Sequence, residues 1–169
     1  MGMPFHRENR YFYYHNSGLQ NHSILYYKEG IDGDAKVLID PNSFSGDGSK
    51  SLSMVSISKD GKSLAYGISQ SGSDWDEYFI MDVVSGKHYD DHLKWIKFSE
   101  ASWLPDGSGF YYGRYPEPNG DEFEDQNKNN KLYLHRLGTS QDEDELVYED
   151  PNNPDYGFYS WVTKDEKYQ

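Results

Sequence analysis

The stretch Ser58-Lys59-Asp60-Gly61-Lys62-Ser63-Leu64-Ala65-Tyr66 returns further along the chain as Leu104-Pro105-Asp106-Gly107-Ser108-Gly109-Phe110-Tyr111-Tyr112. In both copies an Asp-Gly pair lies between two β-rich segments, and glycine readily adopts the positive φ that a tight turn requires. Val55 and Ile57 alternate with serines before the first turn, as in a strand with one apolar face. Each copy therefore predicts two antiparallel strands joined by a turn.

Two weaker copies flank this pair. Arg7-Glu8-Asn9-Arg10-Tyr11-Phe12-Tyr13-Tyr14 lies upstream, and Thr163-Lys164-Asp165-Glu166-Lys167-Tyr168 lies downstream. The turn residues thus recur at intervals of roughly 50 residues, and four strands in each such period are typical of a β-propeller blade. The longer last interval contains the polar stretch 116–130, which predicts a mobile surface loop.

The second half of each repeat predicts another pair of strands. Its clearest segments are 24–27, 78–83 and 131–135, closed by turns at Glu29-Gly30, Ser85-Gly86-Lys87 and Leu137-Gly138-Thr139. No segment carries the apolar stripe of an amphipathic helix, so no helix is expected. The predicted fold class is all-β, a partial β-propeller of about three four-stranded antiparallel blades plus the start of a fourth. The alternative is an unrelated β-sandwich with several hairpins.

We predict a single partial propeller domain, residues 1–169, with blade-like units at roughly 5–50, 51–98 and 99–155. The start of a fourth unit is expected at 156–169. A closed propeller usually has about four to eight blades, so the chain is expected to be a truncated piece. Its terminal faces should then expose apolar residues such as Val55, Ile57 and Trp103, which predicts self-association.

The amino-acid composition excludes several classes of function for this chain. The mean hydropathy is -0.96, yet 17% of the residues are aromatic, and such residues favour half-buried strands. A net charge of -13 is the wrong sign for a nucleic-acid surface or a polybasic membrane patch, so neither partner is expected. The chain has no cysteine, which excludes a disulfide scaffold and a thiolate metal site and suits a cytoplasmic location.

Several stretches resemble one protein family. The run Arg10-Tyr11-Phe12-Tyr13-Tyr14-His15-Asn16-Ser17-Gly18-Leu19-Gln20-Asn21 resembles the first propeller blade of the prolyl oligopeptidase family of serine peptidases. Phe44-Ser45-Gly46-Asp47-Gly48 resembles the linker that follows it. Ala65-Tyr66-Gly67-Ile68-Ser69-Gln70-Ser71-Gly72-Ser73-Asp74-Trp75 resembles the second blade, and Lys97-Phe98-Ser99 precedes a tryptophan as it does there.

The resemblance implies a function for a larger assembly. In that family a seven-bladed propeller sits as a lid over an α/β-hydrolase domain, which carries the Ser, Asp and His of the catalytic triad. The enzymes cleave short peptides after proline, and the lid excludes large folded proteins. By this resemblance the chain is a gating and substrate-selecting propeller fragment. Its implied partners are the missing α/β-hydrolase domain and short proline-containing peptides.

The sequence itself supplies no catalytic set. A hydrolase nucleophile requires a Gly-x-Ser-x-Gly type of turn, and Gly67-Ile68-Ser69-Gln70-Ser71 lacks the second glycine. Gly107-Ser108-Gly109 lies inside a predicted hairpin. Since none of the six histidines pairs with a nucleophile in the sequence, we expect no peptidase activity from the chain alone.

No cofactor and no metal are expected. His88 and His92 are four residues apart, a spacing that could ligate a metal on a helix, but the local sequence predicts a loop between blades. The acidic residues Asp121, Glu122, Glu124 and Asp125 lack the spacing of a calcium loop and are expected to form a solvated charge run.

Two candidate site residues follow from the resemblance. Phe98 matches a propeller phenylalanine that lines the pocket for substrate residues upstream of the proline, and core packing beside Ile96 is its alternative. Asp74 matches an aspartate near a substrate-binding arginine of the hydrolase domain, with loop capping as its alternative. Trp75 is expected to be structural.

Two other functions stay open at this point. The chain could be a stand-alone module that binds peptides or proteins through its blade tops. It could also be a structural repeat protein that completes a ring by oligomerising. A stable, monodisperse oligomer would favour the second of these.

Overall fold

The computed structural model describes residues 2–71, 73–118, 120 and 127–163. Within these residues twelve strands form three antiparallel sheets of four strands each. The first sheet contains β1 (Phe5–Arg7), β2 (Arg10–His15), β3 (Ile24–Glu29) and β4 (Lys36–Ile39). The second contains β5 (Lys50–Ile57), β6 (Ser63–Gln70), β7 (Asp76–Asp82) and β8 (His88–Ile96). The third contains β9 (Ser102–Trp103), β10 (Gly109–Arg114), β11 (Lys131–Arg136) and β12 (Glu145–Tyr148).

Every strand pairs with its neighbours in sequence, so each sheet is a simple meander. Two short 3-10 turns, Pro41–Ser43 and Gln141–Glu143, are the helical elements of the described part of the chain. Three four-stranded blades of about one repeat length each are the geometry of a partial propeller. The predicted fold class is therefore confirmed, whereas the unit boundaries given above stay predictions.

The Asp-Gly turns adopt the backbone conformation that the sequence predicts. Gly61 has φ 70° and Gly107 has φ 71°. The first of these turns is longer than a two-residue hairpin, because Ile57 pairs with Leu64. Asp60 caps it, accepting hydrogen bonds through Oδ1 from Ser58 Oγ (2.7 Å) and from the Lys62 amide (3.0 Å).

The turn in the upstream copy of the repeat, residues 7–14, has a different conformation. β1 and β2 are joined through Glu8 and Asn9, and the positive φ of 49° falls on Glu8. The left-handed residue is therefore the first of the two connecting residues here, whereas it is the glycine of the Asp-Gly pair in the other two turns. This turn is a tight two-residue connection, since the residues on either side of it pair directly.

Two apolar layers join the three sheets. The first lies between the first and second sheets and contains Phe12, Leu25, Tyr27, Leu38, Ile39, Ile57, Leu64, Tyr66, Met81 and Val83. The second lies between the second and third sheets and contains Met54, Ala65, Tyr78, Ile80, Leu93, Ile96, Ala101, Trp103, Phe110 and Tyr112. Face-to-face packing of this kind is what stacks repeats against their neighbours.

The expectation that Val55, Ile57 and Trp103 lie on open terminal faces is wrong. Ile57 and Trp103 are buried in the two layers, and Val55 packs against the first. Trp103 also donates from Nε1 to the Ser56 carbonyl at 3.1 Å, and Ser56 Oγ donates to the Ala101 carbonyl at 2.6 Å. These side chains therefore join adjacent blades.

Part of the predicted fourth unit can be compared with the structure. Residues 149–163 form no strand, and the turn predicted at Asp165 lies outside the described residues. No helix in the described ranges is long and apolar enough to span a bilayer.

Candidate functional site

A cavity of about 860 Å³ is lined by strands from all three sheets. Its wall contains both residues singled out by the family resemblance, Phe98 and Asp74. Segments far apart in sequence complete it, namely Phe5, Arg7, 53–57, Asp76, Ser99, Glu100, Tyr112, Gly113 and 159–161. The fold thus brings the two predicted residues together on one concave surface, where binding sites are usually found.

Phe98 is presented to this cavity by an unusual backbone. It follows β8 with φ 51°, a left-handed conformation that costs a non-glycine residue about 1 to 2 kcal/mol. Its side chain is 55% exposed, whereas Ile96 is fully buried. Phe98 is therefore no part of the core, which argues against its core-packing alternative.

The residue after Phe98 is tied to two neighbouring strands. The Tyr78 hydroxyl donates to the Ser99 carbonyl at 2.5 Å, and the Gly113 amide donates to Ser99 Oγ at 2.8 Å. These contacts come from β7 and from β10, in different blades. They hold the left-handed segment in place, as is needed for a strained residue to persist.

Asp74 is exposed just before β7, near a second carboxylate of the cavity wall. Burial is the main reason that the pKa of Asp76 is raised; a hydrogen bond from Ser53 opposes the rise, and the charge of Asp74 adds to it. In the turn before β7, Ser73 Oγ accepts the Trp75 amide at 3.1 Å. Ser73 thus supplies the loop-capping interaction that was the alternative role of Asp74.

The sequence neighbours of Asp74 and Phe98 belong to an aromatic cluster that contains a buried lysine. The Lys97 ammonium lies 3.9 Å from the centroid of the Trp75 ring and donates to Asn127 Oδ1 at 2.9 Å. Trp75 packs edge to face with Trp95 at 5.8 Å and with Tyr115 at 6.2 Å. The structural role expected for Trp75 agrees with this packing.

Sequence reasoning did not single out Lys97 or Trp95. In the sequence, Lys97 lies between two apolar residues, Ile96 and Phe98, at the end of a predicted strand. This position was the signal that could have identified it. No sequence signal marks the left-handed φ of 61° at Trp95, because glycine or asparagine is the usual residue there.

The serines considered as nucleophiles are structural in this fold. Ser69 lies in β6 and its Oγ is 3.0 Å from Ser51 Oγ across the strand pair. Ser108 lies in a turn and donates to Asp106 Oδ1 at 2.7 Å. Neither contact provides the histidine base that an activated serine requires.

A buried histidine joins the second and third blades. Both His135 ring nitrogens face carboxylates, Nε2 at 2.9 Å from Asp91 Oδ1 and Nδ1 at 2.7 Å from Asp144 Oδ1. When both carboxylates are ionised, both ring nitrogens donate, and this arrangement favours the cationic imidazolium. The Tyr112 hydroxyl donates to Asp144 Oδ2 at 2.5 Å and extends this polar network.

His88 and His92 lie in β8, not in a loop between blades as expected. His92 Nε2 is 2.7 Å from Glu77 Oε2 and its ring stacks on Phe79, while His88 Nδ1 is 3.3 Å from the Tyr66 hydroxyl. In the described ranges no three His, Cys, Asp or Glu side chains form a group able to hold a metal ion. The acidic residues at 121–125 lie outside those ranges.

The sequence matches one family over nearly its whole length. The model for "Prolyl oligopeptidase, N-terminal beta-propeller domain" matches residues 1–168. The "Prolyl endopeptidase" of Elizabethkingia miricola is 39% identical over 166 residues, which are 98% of this chain and 23% of that protein. "Prolyl oligopeptidase A" of Galerina marginata is 36% identical, covering 96% of this chain and 26% of that protein.

Solved structures show the same similarity. One of two prolyl endopeptidases studied for inter-domain dynamics superposes with a TM-score of 0.85 at 36% identity, covering 98% of this chain and 23% of that one. Prolyl oligopeptidase B from Galerina marginata, bound to a 35mer substrate, gives a TM-score of 0.87 at 29% identity, with 98% and 26% covered. The chain therefore spans about a quarter of the length of the proteins it matches.

Proposed function

This chain belongs to the prolyl oligopeptidase N-terminal β-propeller family, and from that premise we propose that it gates and selects peptides for a peptidase that cleaves after proline. The chemistry would be supplied by an α/β-hydrolase domain outside these 169 residues. This chain would supply part of the lid and part of the pocket wall. Short proline-containing peptides are the proposed substrates.

The observation that carries this proposal is the shared position of Phe98 and Asp74 on one cavity wall. An exposed aromatic ring held by a left-handed backbone is a costly feature for a surface with no binding role. A phenylalanine face suits an apolar side chain of a peptide, and a carboxylate suits a cation. Both contacts select among peptides without taking part in bond cleavage.

The proposal predicts that the purified chain does not hydrolyse a proline-containing reporter peptide. The physical reason is that no described serine has the base that would activate it. The measurement is release of the reporter group, with a complete prolyl oligopeptidase as positive control. Hydrolysis that persists after rigorous purification, at a rate proportional to the amount of this chain, would contradict the proposal.

A stand-alone peptide-binding module is the second candidate. The openness of the cavity wall to solvent favours it, because Phe98 and Asp74 are exposed without any further domain. Titrating the chain with a labelled proline-containing peptide distinguishes the two. Saturable binding that Phe98→Ala abolishes favours the module, and binding that needs the hydrolase domain favours the peptidase.

A further inference from the structure

The two cavity residues, Phe98 and Asp74, are each next in sequence to one half of a cation–π contact. Phe98 follows Lys97, and Asp74 precedes Trp75. The β7–β8 ladder ends with the pair Asp76 and Ile96, so Trp75 and Lys97 occupy the next position beyond it. Their contact therefore closes the open end of this strand pair.

The backbone around Lys97 needs such a contact. Trp95 and Phe98 are both left-handed, with φ 61° and 51°, and they flank the last residue of β8 and Lys97. Bulky side chains disfavour this conformation, so the segment would relax if it were not held from outside. The Tyr115 amide, which donates to the Trp95 carbonyl at 2.9 Å, is one such contact from the third blade.

The Lys97 ammonium is placed to make a second contact that holds this left-handed segment. Lys97 is 6% exposed, and its ammonium lies on the ring face of Trp75 with Asn127 Oδ1 as a hydrogen-bond acceptor. Cation–π attraction is strongest for tryptophan and grows when the cation is removed from water. A neutral side chain of the same length would fill the space but lose this attraction.

We propose that Lys97 is a positioning residue whose contact with Trp75 fixes the Phe98 and Asp74 segments relative to each other on the cavity wall. The consequence for peptide selection rests on the proposed function above. The positioning itself is a property of this chain. The two parts can therefore be tested separately.

The variants are chosen to separate charge from packing. Lys97→Met keeps an apolar stem and removes the cation, and Lys97→Arg keeps a cation that stacks on an indole. Trp75→Phe weakens the attraction while retaining an aromatic ring. Lys94→Met is the matched control, because Lys94 lies in β8 three residues before Lys97 and is exposed.

The first measurement is amide hydrogen exchange in the 169-residue chain. The amides of Gly113 and Tyr115 report on the segment, since they donate to Ser99 and to Trp95. In Lys97→Met we expect both to exchange about tenfold faster while the Leu134 amide of β11 is unchanged. Lys97→Arg should restore the slow exchange, and Lys94→Met should not alter it.

Uniform acceleration of all amides would assign Lys97 a merely global structural role and overturn the inference, as would no change at Gly113 and Tyr115. If Lys97→Met does not fold, Trp75→Phe decides by the same two amides. For both variants, therefore, the exchange rates of the Gly113 and Tyr115 amides decide whether the inference holds.

The second measurement is kinetic, in a complete peptidase that carries this propeller segment. We expect Lys97→Met to raise KM about tenfold for peptides extended upstream of the proline, with kcat unchanged and a minimal reporter unaffected. An unchanged KM in Lys97→Met beside a raised KM in Phe98→Ala overturns the inference. An unchanged KM in Phe98→Ala instead overturns the proposed function, and the exchange result still decides the positioning role.

Discussion

At the scale of single residues, Phe98 and Phe110 show how differently the same side chain can be used. Phe98 is 55% exposed on a strained backbone, whereas Phe110 is fully buried between the second and third sheets. Phe98 buries little apolar surface on folding, and it presents the face of its ring to the cavity. Phe110 contributes to the layer that joins two blades.

We expect Phe98→Ala to change the free energy of unfolding by less than about 1 kcal/mol, because little apolar surface is lost. In a complete peptidase carrying this segment, the same change should alter preference among peptides. Phe110→Ala is the matched control and should destabilise by about 3 to 5 kcal/mol. Thermal melts beside peptide-panel kinetics test this, and an unstable Phe98→Ala variant with unaltered preference would contradict it.

We expect His135 to make the contact between blades sensitive to pH. Burial acts to lower its pKa, but the hydrogen bonds and charges of Asp144 and Asp91 outweigh burial and raise it. The network also contains Tyr112, whose pKa burial raises, and the nearby Arg114. A raised folded pKa means that protonated His135 favours the folded state at low pH.

We therefore expect stability to fall as the pH rises. The His135 contribution is full below the unfolded pKa of about 6.5 and disappears as the pH passes the folded pKa, losing about 1.4 kcal/mol for each unit between the two. Urea denaturation at a series of pH values measures this. His135→Gln should lose the slope, and Asp91→Asn should reduce it. His6→Gln, on an exposed residue, should keep it, and a wild-type stability that is flat from about pH 6 to 9 would rule the linkage out.

At the scale of elements, the strands are set by turns and by close approach between neighbours. Gly109 pairs with Arg136 at the start of the β10–β11 ladder. A Cβ at this position would collide with the backbone carbonyl oxygen of His135, so the strand must shift to admit any side chain. Gly46, in contrast, has open space around it.

Gly109→Ala should destabilise the chain by about 1 to 3 kcal/mol, since the obstructing atom belongs to the backbone. Gly46→Ala is the matched control and should stay within about 0.5 kcal/mol of the parent. Denaturant midpoints of both variants give the comparison. Equal stability of the two would show that the β10–β11 approach is looser than described.

The sequence predicts the elements better than it predicts their contacts. Asp60-Gly61 and Asp106-Gly107 locate two hairpins, because local turn chemistry decides them. Glu8 takes the left-handed position of its turn against ordinary preference, and β8 includes His88 and His92 where a loop was expected. In these places strand pairing overrides local propensity.

The candidate site was likewise predictable from the sequence only in part. Phe98 and Asp74 were found through resemblance to a family, and no local pattern marks either of them. The Asp91–His135 contact joins residues 44 positions apart in two blades, and Lys97 reaches Asn127 across 30 positions. A single sequence carries no signal for pairings of this range, because they depend on how blades stack.

At the scale of the whole molecule, exposed apolar side chains are frequent in the third sheet and the segment after it. They are Leu146, Val147, Tyr148, Tyr156, Tyr159 and Trp161. All four residues of β12 are exposed, and this strand lies at the edge of its sheet. Apolar surface beside an open strand edge promotes pairing with another chain.

We expect the chain to self-associate in a concentration-dependent manner, and more strongly at high salt because its net charge of -13 opposes contact. Val147→Lys should weaken the association by placing a charge on the edge strand. Leu19→Lys, at an apolar position between β2 and β3 that is 96% exposed, should leave it unchanged. Sedimentation velocity over a range of concentrations measures both, and a compact monomer at every concentration would contradict the expectation.

The meander topology has a consequence for how the chain is made. Every sheet is completed by strands that follow one another in sequence, so each blade can close its own ladders before the next emerges from the ribosome. At about 5 to 20 residues per second, several seconds separate one blade from the next, far longer than hairpin formation requires. The first sheet would therefore be ready as a template when Ile57 and Leu64 arrive to pack on it. Blade addition in the order of synthesis follows directly from the way the strands are connected.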